Sequence, residues 1–121
     1  MYEEHEQLDH ELARLAESLR TGDHMKACLQ LADFALRLDD SIYREERALA
    51  FFERLEPATP TPLPKMRTEH TSMRRLIGMI ANALDRADDR RGLEVIGKLR
   101  SVLLLHLEKE RTLEPLRRWP A

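Results

Sequence analysis

Three short helix-breaking segments divide this chain of 121 residues into four stretches of helical length. Gly22 can end one helix and Asp23 can cap the next. Four prolines between residues 57 and 64 remove backbone N–H donors and disfavour helix before each ring. A polar stretch at residues 85–92 makes the third break. The breaks predict four helices, at residues 2–20, 24–56, 65–86 and 92–114.

The composition agrees with an all-α fold. Charged residues make up 35% of the chain, aromatic residues 5%, and there are only four glycines. Helix-forming Leu, Ala, Glu and Arg are therefore favoured over the β-branched and aromatic residues that strands prefer. A chain of this length supports one hydrophobic core, so we expect residues 1–121 to form a single domain. Four amphipathic helices with short links predict an up-down-up-down antiparallel four-helix bundle.

Charge and hydropathy exclude several classes of partner. The formal net charge is −2, and no stretch concentrates positive charge as binding to nucleic acid or to an anionic membrane requires. The longest apolar runs are too short to cross a bilayer, and the chain begins with an acidic segment at residues 2–4. We therefore expect a soluble, cytoplasmic protein. The single cysteine, Cys28, is expected to be a small core thiol.

Each predicted helix carries apolar residues at helical spacing, and this stripe should face the core. The stripes comprise Leu8, Leu12, Leu15 and Leu19; Leu31, Phe34, Ala35, Leu38, Ile42, Leu49, Phe52 and Leu55; Met66, Met73, Ile77, Ile80 and Leu84; and Ile96, Leu99, Leu103 and Leu113. Polar residues interrupt them at His5, Ser41, Glu45, His70, His106 and Glu110. Every helix is therefore expected to point at least one polar side chain into the core. His10 and His24 fall off the stripes and should be solvated.

The interrupting residues repeat between the two halves of the chain. His5 and Ser41 are 36 residues apart, as are His70 and His106. Glu45 and Glu110 each follow four residues later, and the surrounding residues also match between the two halves. A helical hairpin duplicated in this way would pack against its copy about a pseudo-two-fold axis. That packing would bring these polar residues together at the centre of the bundle.

The expected burial of these side chains limits the roles that they can have. An unpaired carboxylate or imidazole in a bundle core costs several kcal/mol, so such groups persist only when paired, hydrogen-bonded or bound to a metal. His106 and Glu110 are four residues apart and lie on one helix face. They can therefore bind one metal ion, or two adjacent ions, together. Imidazole and carboxylate ligands without thiolate suit iron, manganese or zinc. A carboxylate-bridged non-haem di-iron site fits best.

The pattern resembles the hemerythrin family, specifically its bacterial HHE cation-binding type. That family places a His on helix one, His-x-x-x-Glu on helix two, His on helix three and His-x-x-x-Glu on helix four. The corresponding segments here are Glu4-His5, residues 41–46, Glu69-His70 and residues 106–110, so the match covers the whole chain. The resemblance implies a di-iron centre bridged by Glu45 and Glu110. His5, His70 and His106 would be the terminal ligands.

The chain departs from the family pattern at two positions. Ser41 stands where the second helix should carry a His, and a neutral hydroxyl is a poor iron ligand. We therefore expect an open coordination position beside Ser41, with room for an exogenous ligand. Arg74 follows His70 by four residues, where oxygen-carrying hemerythrins place another His. An imidazole-poor site is more typical of the sensing and redox-active relatives.

The resemblance therefore implies an asymmetric non-haem iron site for O2, peroxide or nitric oxide. Two iron ions are expected, although one iron, a manganese or a zinc ion would also suit the donors. A homodimer or a separate signalling protein would transmit any signal, and turnover of a substrate is left open. The alternative is a metal-free helical-bundle interaction module whose site has decayed. A ferritin-like site is disfavoured, because it orders Glu before His on two helices.

Overall fold

A computed structural model describes the backbone of residues 2–117 and the side chains of residues 6–106 and Glu108. The four helices are α1 (Tyr2–Arg20), α2 (His24–Leu55), α3 (Leu63–Asp85) and α4 (Asp89–Arg117). Nearly all of the described residues are helical, and the described part of the chain contains no strand. The predicted four-helix bundle is confirmed.

The helices pack as a ring in chain order. Each helix contacts the next along the chain, and α4 returns to contact α1. A large core cluster includes Leu12, Phe34, Ile80 and Leu99, each at most 1% exposed. A smaller cluster, formed by Leu49, Leu63 and Met66, buries one end of the α2–α3 pair. Within residues 2–117, no helix combines the length and hydrophobicity that crossing a membrane requires.

The turn after α1 and the turn after α3 have the same construction. A residue with positive φ follows each helix: Gly22 (φ 78°) follows α1, and Ala87 (φ 54°) follows α3. The next residue, Asp23 or Asp88, donates its N–H back to the helix carbonyl five residues earlier, at 2.9 and 2.8 Å respectively. Each aspartate side chain also accepts the N–H three residues later, at 3.1 Å. The internal repeat therefore extends to these turns, which lie 65 residues apart.

Exchanging glycine and alanine at the positive-φ residue should change the stability in opposite directions at the two turns. Ala87→Gly should raise the free energy of unfolding by about 0.5–1 kcal/mol, because glycine removes the steric cost of positive φ that alanine bears. Gly22→Ala should lower it by about 1 kcal/mol for the same reason. Urea denaturation measures both changes. Loss of stability in Ala87→Gly would contradict the explanation.

The helix ends differ from the predicted ends in physically simple ways. α3 begins at Leu63, two residues early, because Pro64 lies in its first turn, where a missing N–H breaks no hydrogen bond. α4 begins at Asp89, since the Asp88 side chain caps it there. It continues to Arg117, so Pro115 does not end the helix as expected.

Most of the described stripe residues are buried, and the separate predictions for Leu55 and Cys28 need correction. Leu55 is 45% exposed, because it lies in the last turn of α2, beyond the buried Phe52. Cys28 is exposed, so the predicted core thiol is wrong. It follows Ala27, the buried residue of that turn, and a step of one residue rotates a side chain about 100° away. The predicted stripe residue Leu113 lies outside the described side chains.

A bidentate ion pair joins α1 to α4. Arg100 Nε donates to Asp9 Oδ1 at 2.8 Å, and Arg100 Nη2 donates to Asp9 Oδ2 at 3.1 Å. The hydrogen bond to Asp9 raises the pKa of the Arg100 guanidinium above its ordinary value. The paired hydrogen bonds therefore link the first helix to the last.

Candidate metal centre

Three ionisable side chains meet between the two apolar clusters. Glu45 lies on α2, His70 on α3 and His106 on α4, and none is more than 1% exposed. Each continues the stripe of buried apolar residues on its helix. Glu45 comes three residues after the buried Ile42, and His106 comes three residues after the buried Leu103. The helical period that builds the core therefore also turns these side chains inward.

The distances make this group a compact donor set. Glu45 Oε1 accepts a hydrogen bond from His106 Nε2 at 2.7 Å and lies 3.5 Å from His70 Nε2. The two imidazole rings stand edge to face, with centroids 5.0 Å apart. One ligand atom from each of the three residues lies within 4.8 Å of the others, a spacing that a single metal ion can bridge.

Two further carboxylates lie behind the histidines. Glu46 Oε2 accepts a hydrogen bond from His70 Nδ1 at 2.6 Å, and Arg67 Nε lies 3.4 Å from the other oxygen of Glu46. Glu69 Oε2 lies 3.9 Å from His106 Nδ1, too far for a direct hydrogen bond. Carboxylates in such positions orient metal-binding imidazoles and increase their basicity.

The donor set fits a divalent cation. A carboxylate accepts hydrogen bonds only, so His70 Nδ1 must carry the proton that Glu46 accepts. In a neutral imidazole, Nε2 then keeps its lone pair, and this buried atom forms no hydrogen bond with any described residue. His106 Nε2 would lose the proton it donates to Glu45, as imidazole ligands do when a metal binds. A cation would also offset the buried negative charge of Glu45.

Not all of the predicted ligands can be placed. The structure brings Glu45, His70 and His106 together. His5 and Glu110 lie outside the described side chains, so their roles as ligands stay predictions. Ser41 is 1% exposed and lies one helical turn before Glu45 on the same buried face.

A cavity of about 170 Å³ reaches Ser41 from the surface between α1 and α2. Charged side chains line it, including Glu11 of α1 and Arg37 and Arg44 of α2. Tyr43 does not enter this region, because it is 59% exposed and its hydroxyl accepts a hydrogen bond from Arg47 at 2.8 Å.

The two remaining histidines lie at the surface, as expected. His10 is exposed on α1. The exposed His24, at the start of α2, lies 2.7 Å from Asp89 at the start of α4. Neither residue belongs to the buried group.

The sequence pattern alone assigns no role to Glu46 and Glu69, the two carboxylates behind the histidines. Glu69 had a detectable signal, because Glu-His occurs at both repeat-related positions, residues 4–5 and 69–70. Glu46 had none beyond its position next to Glu45. It contacts His70 across 24 residues of sequence, and only helix packing could disclose this contact.

Comparison with known proteins agrees with the four-helix fold and with cation binding. A family model described as hemerythrin HHE cation-binding domain matches residues 1–116. Searches of the curated proteins and of the solved structures found no significant match. The family implies cation binding, and the buried Glu-His-His group could hold a metal. With nearly the whole chain matched, this protein belongs to the hemerythrin HHE cation-binding domain family.

Proposed function

We propose that this protein binds non-haem iron and uses it to bind or sense O2, peroxide or nitric oxide. The observation that carries the proposal is the buried group of Glu45, His70 and His106, whose ligand atoms lie within 4.8 Å of one another. The lone pair of His70 Nε2, directed by the hydrogen bond from Nδ1 to Glu46, supports a cation at this place. Mixed imidazole and carboxylate donors suit iron, with manganese and zinc as alternatives.

The proposed ligand set is His5, Glu45, His70, His106 and Glu110. Two iron ions are proposed, with the two glutamates as bridges and the three histidines as terminal ligands. Iron bound there would supply a change of oxidation state and a place for a small exogenous ligand. The chain supplies a buried site, a carboxylate at Glu46 that orients His70, and negative charge that favours a cation.

Ser41 makes the proposed ligand set asymmetric, and this supports the binding of a small exogenous ligand. The hydroxyl stands where the family pattern has a His, and the cavity of about 170 Å³ leads to it from the surface. Glu11, Arg37 and Arg44 line the cavity, and its volume of about 170 Å³ accommodates a diatomic molecule or peroxide. We propose that this cavity is the route by which the ligand reaches the site.

We propose that residues 1–121 act as one domain in the cytoplasm, where the exposed thiol of Cys28 would stay reduced. A signal would pass through a second copy of the chain or a separate protein. The competing function is a metal-free interaction module.

Iron content and ligand response test the proposal directly. Protein purified from iron-replete cells is expected to hold roughly one to two iron ions per chain, measured by elemental analysis. The reduced protein should change its absorption spectrum when O2, peroxide or nitric oxide is added. Ser41→Leu should retain iron but respond at least about tenfold more slowly, because the larger side chain fills the inner end of the cavity.

Tyr43→Leu is the matched control, since Tyr43 lies on the same helix and is exposed. It should respond at the rate of the unmodified protein. Protein with less than about 0.3 iron, manganese or zinc ion per chain would favour the metal-free module instead. Equal slowing in both variants would contradict the proposed route.

A further inference from the structure

The large apolar side chains that remain exposed in the described part of the chain are concentrated on α2. Six of the eight lie there, and the other two, Leu104 and Leu105, lie on α4. The six on α2 are Met25, Leu29, Leu36, Tyr43, Phe51 and Leu55. An apolar surface concentrated on one helix indicates a site of protein association.

The first three of these residues form a regular seam. Met25 is 77% exposed, Leu29 67% and Leu36 73%. With the exposed Ala32 between them, they follow one another at intervals of four, three and four residues. We call these four residues the α2 seam. The spacing is that of helices that pack side by side with interlocking side chains.

The α2 seam lies on the opposite side of the helix from the bundle core. Ala27, Leu31, Phe34 and Leu38 are buried against the other helices over the same stretch. The N-terminal half of α2 is therefore apolar on two faces, and the bundle covers only one of them. A helix of this kind normally packs against a second partner.

The α2 seam is complementary to itself when two copies run antiparallel. In that pairing Met25 faces Leu36 of the second copy, and Leu29 faces Ala32 of the second copy. Each contact occurs twice about the two-fold axis. The large side chain of leucine meets the small side chain of alanine in both central layers, so the two helices can approach closely.

Charge also favours the antiparallel pairing. Lys26 and Asp33 are exposed and flank the α2 seam on the same side. An antiparallel pair places Lys26 beside Asp33 of the second copy, again twice. A parallel pair would place Asp33 beside Cys28 of the second copy and bring no opposite charges together. Facing charges of this kind determine partner choice and orientation between packed helices.

We propose that the α2 seam is the interface of a homodimer, in which two copies pack the N-terminal halves of α2 against each other in antiparallel orientation. The interface is small, so the dimer should dissociate in the micromolar range. It is independent of the proposed iron site, because Glu45 lies on the opposite, buried face of α2. Metal-free and iron-loaded protein should therefore dimerise alike.

Sedimentation velocity of the full chain over roughly 1–300 µM tests the dimer. The unmodified protein should shift from the 14.2 kDa monomer to twice that mass as its concentration rises. Leu29→Glu should raise the dissociation constant at least about 100-fold, because it buries a charge in both central layers. Leu105→Glu is the matched control, since Leu105 is 59% exposed but lies on α4. It should leave dimerisation unchanged.

Charge reversal tests the orientation. Lys26→Glu should weaken the dimer about three- to tenfold by facing Asp33 of the second copy. Adding Asp33→Lys should restore the affinity to within about threefold of the unmodified protein. A monomer at every concentration, or equal weakening by Leu105→Glu, would overturn the interface. Failure of the double reversal to restore affinity would overturn the antiparallel pairing. Circular dichroism should show unchanged helicity in every variant.

Discussion

Glu45→Gln is expected to reduce metal affinity at least about 100-fold and to leave the purified protein almost free of iron. Glu45 supplies the only carboxylate of the buried three-residue group, and its Oε1 lies 2.7 Å from one imidazole and 3.5 Å from the other. The substitution keeps the shape of the side chain but removes its charge. The amide oxygen can still accept a hydrogen bond from His106, so the metal-free fold should be retained.

Thermal unfolding should report the same loss of metal binding. Metal that binds only the folded state stabilises it by about 2.7 kcal/mol when its concentration is 100 times the dissociation constant. The unmodified protein should therefore unfold at a higher temperature when iron is present, and Glu45→Gln should show no such shift. Without metal, the two proteins should differ by less than about 1 kcal/mol.

One further variant and one control test this prediction more closely. Glu46→Gln removes the carboxylate behind His70 but no proposed ligand, so iron affinity should fall by about 10- to 100-fold. His10→Ala alters an exposed histidine and should leave iron content unchanged. If Glu45→Gln retained as much iron as the unmodified protein, with the same spectrum, Glu45 would not be a ligand.

Leu103→Ala is expected to lower the free energy of unfolding by about 2–5 kcal/mol. Leu103 is fully buried in the large core cluster. Its truncation removes apolar contacts and leaves a cavity that the four packed helices can only partly close. A loss of this size is a large fraction of the 5–15 kcal/mol that stabilises a typical domain.

The next residue on α4 is the matched control for this effect. Leu104 is 52% exposed, and Leu104→Ala should change stability by less than about 0.5 kcal/mol. Urea denaturation at a concentration where the protein is monomeric measures both variants. Similar losses at the two positions would contradict the burial described for α4.

Much of the fold could be predicted because its signals are local. Gly22 and Asp23 break and restart the helix through hydrogen bonds that span only a few residues. Apolar stripes identify the buried face of each helix, and His70 and His106 are buried because they continue those stripes. The same locality explains the errors at the helix ends. A proline such as Pro64 breaks a helix only in its interior, and the sequence does not say in which turn it will lie.

By itself, the sequence determined the four helices, their inward faces, the internal repeat and the resemblance to the HHE family. Those features follow from periodicity and from interactions within a few residues of the chain. The tertiary structure decided which side chains meet across helices. The hydrogen bond from His70 to Glu46, the cavity that reaches Ser41 and the uncovered α2 seam all depend on how the helices rotate and slide against one another. Packing of the whole bundle sets these offsets, so no local spacing encodes them.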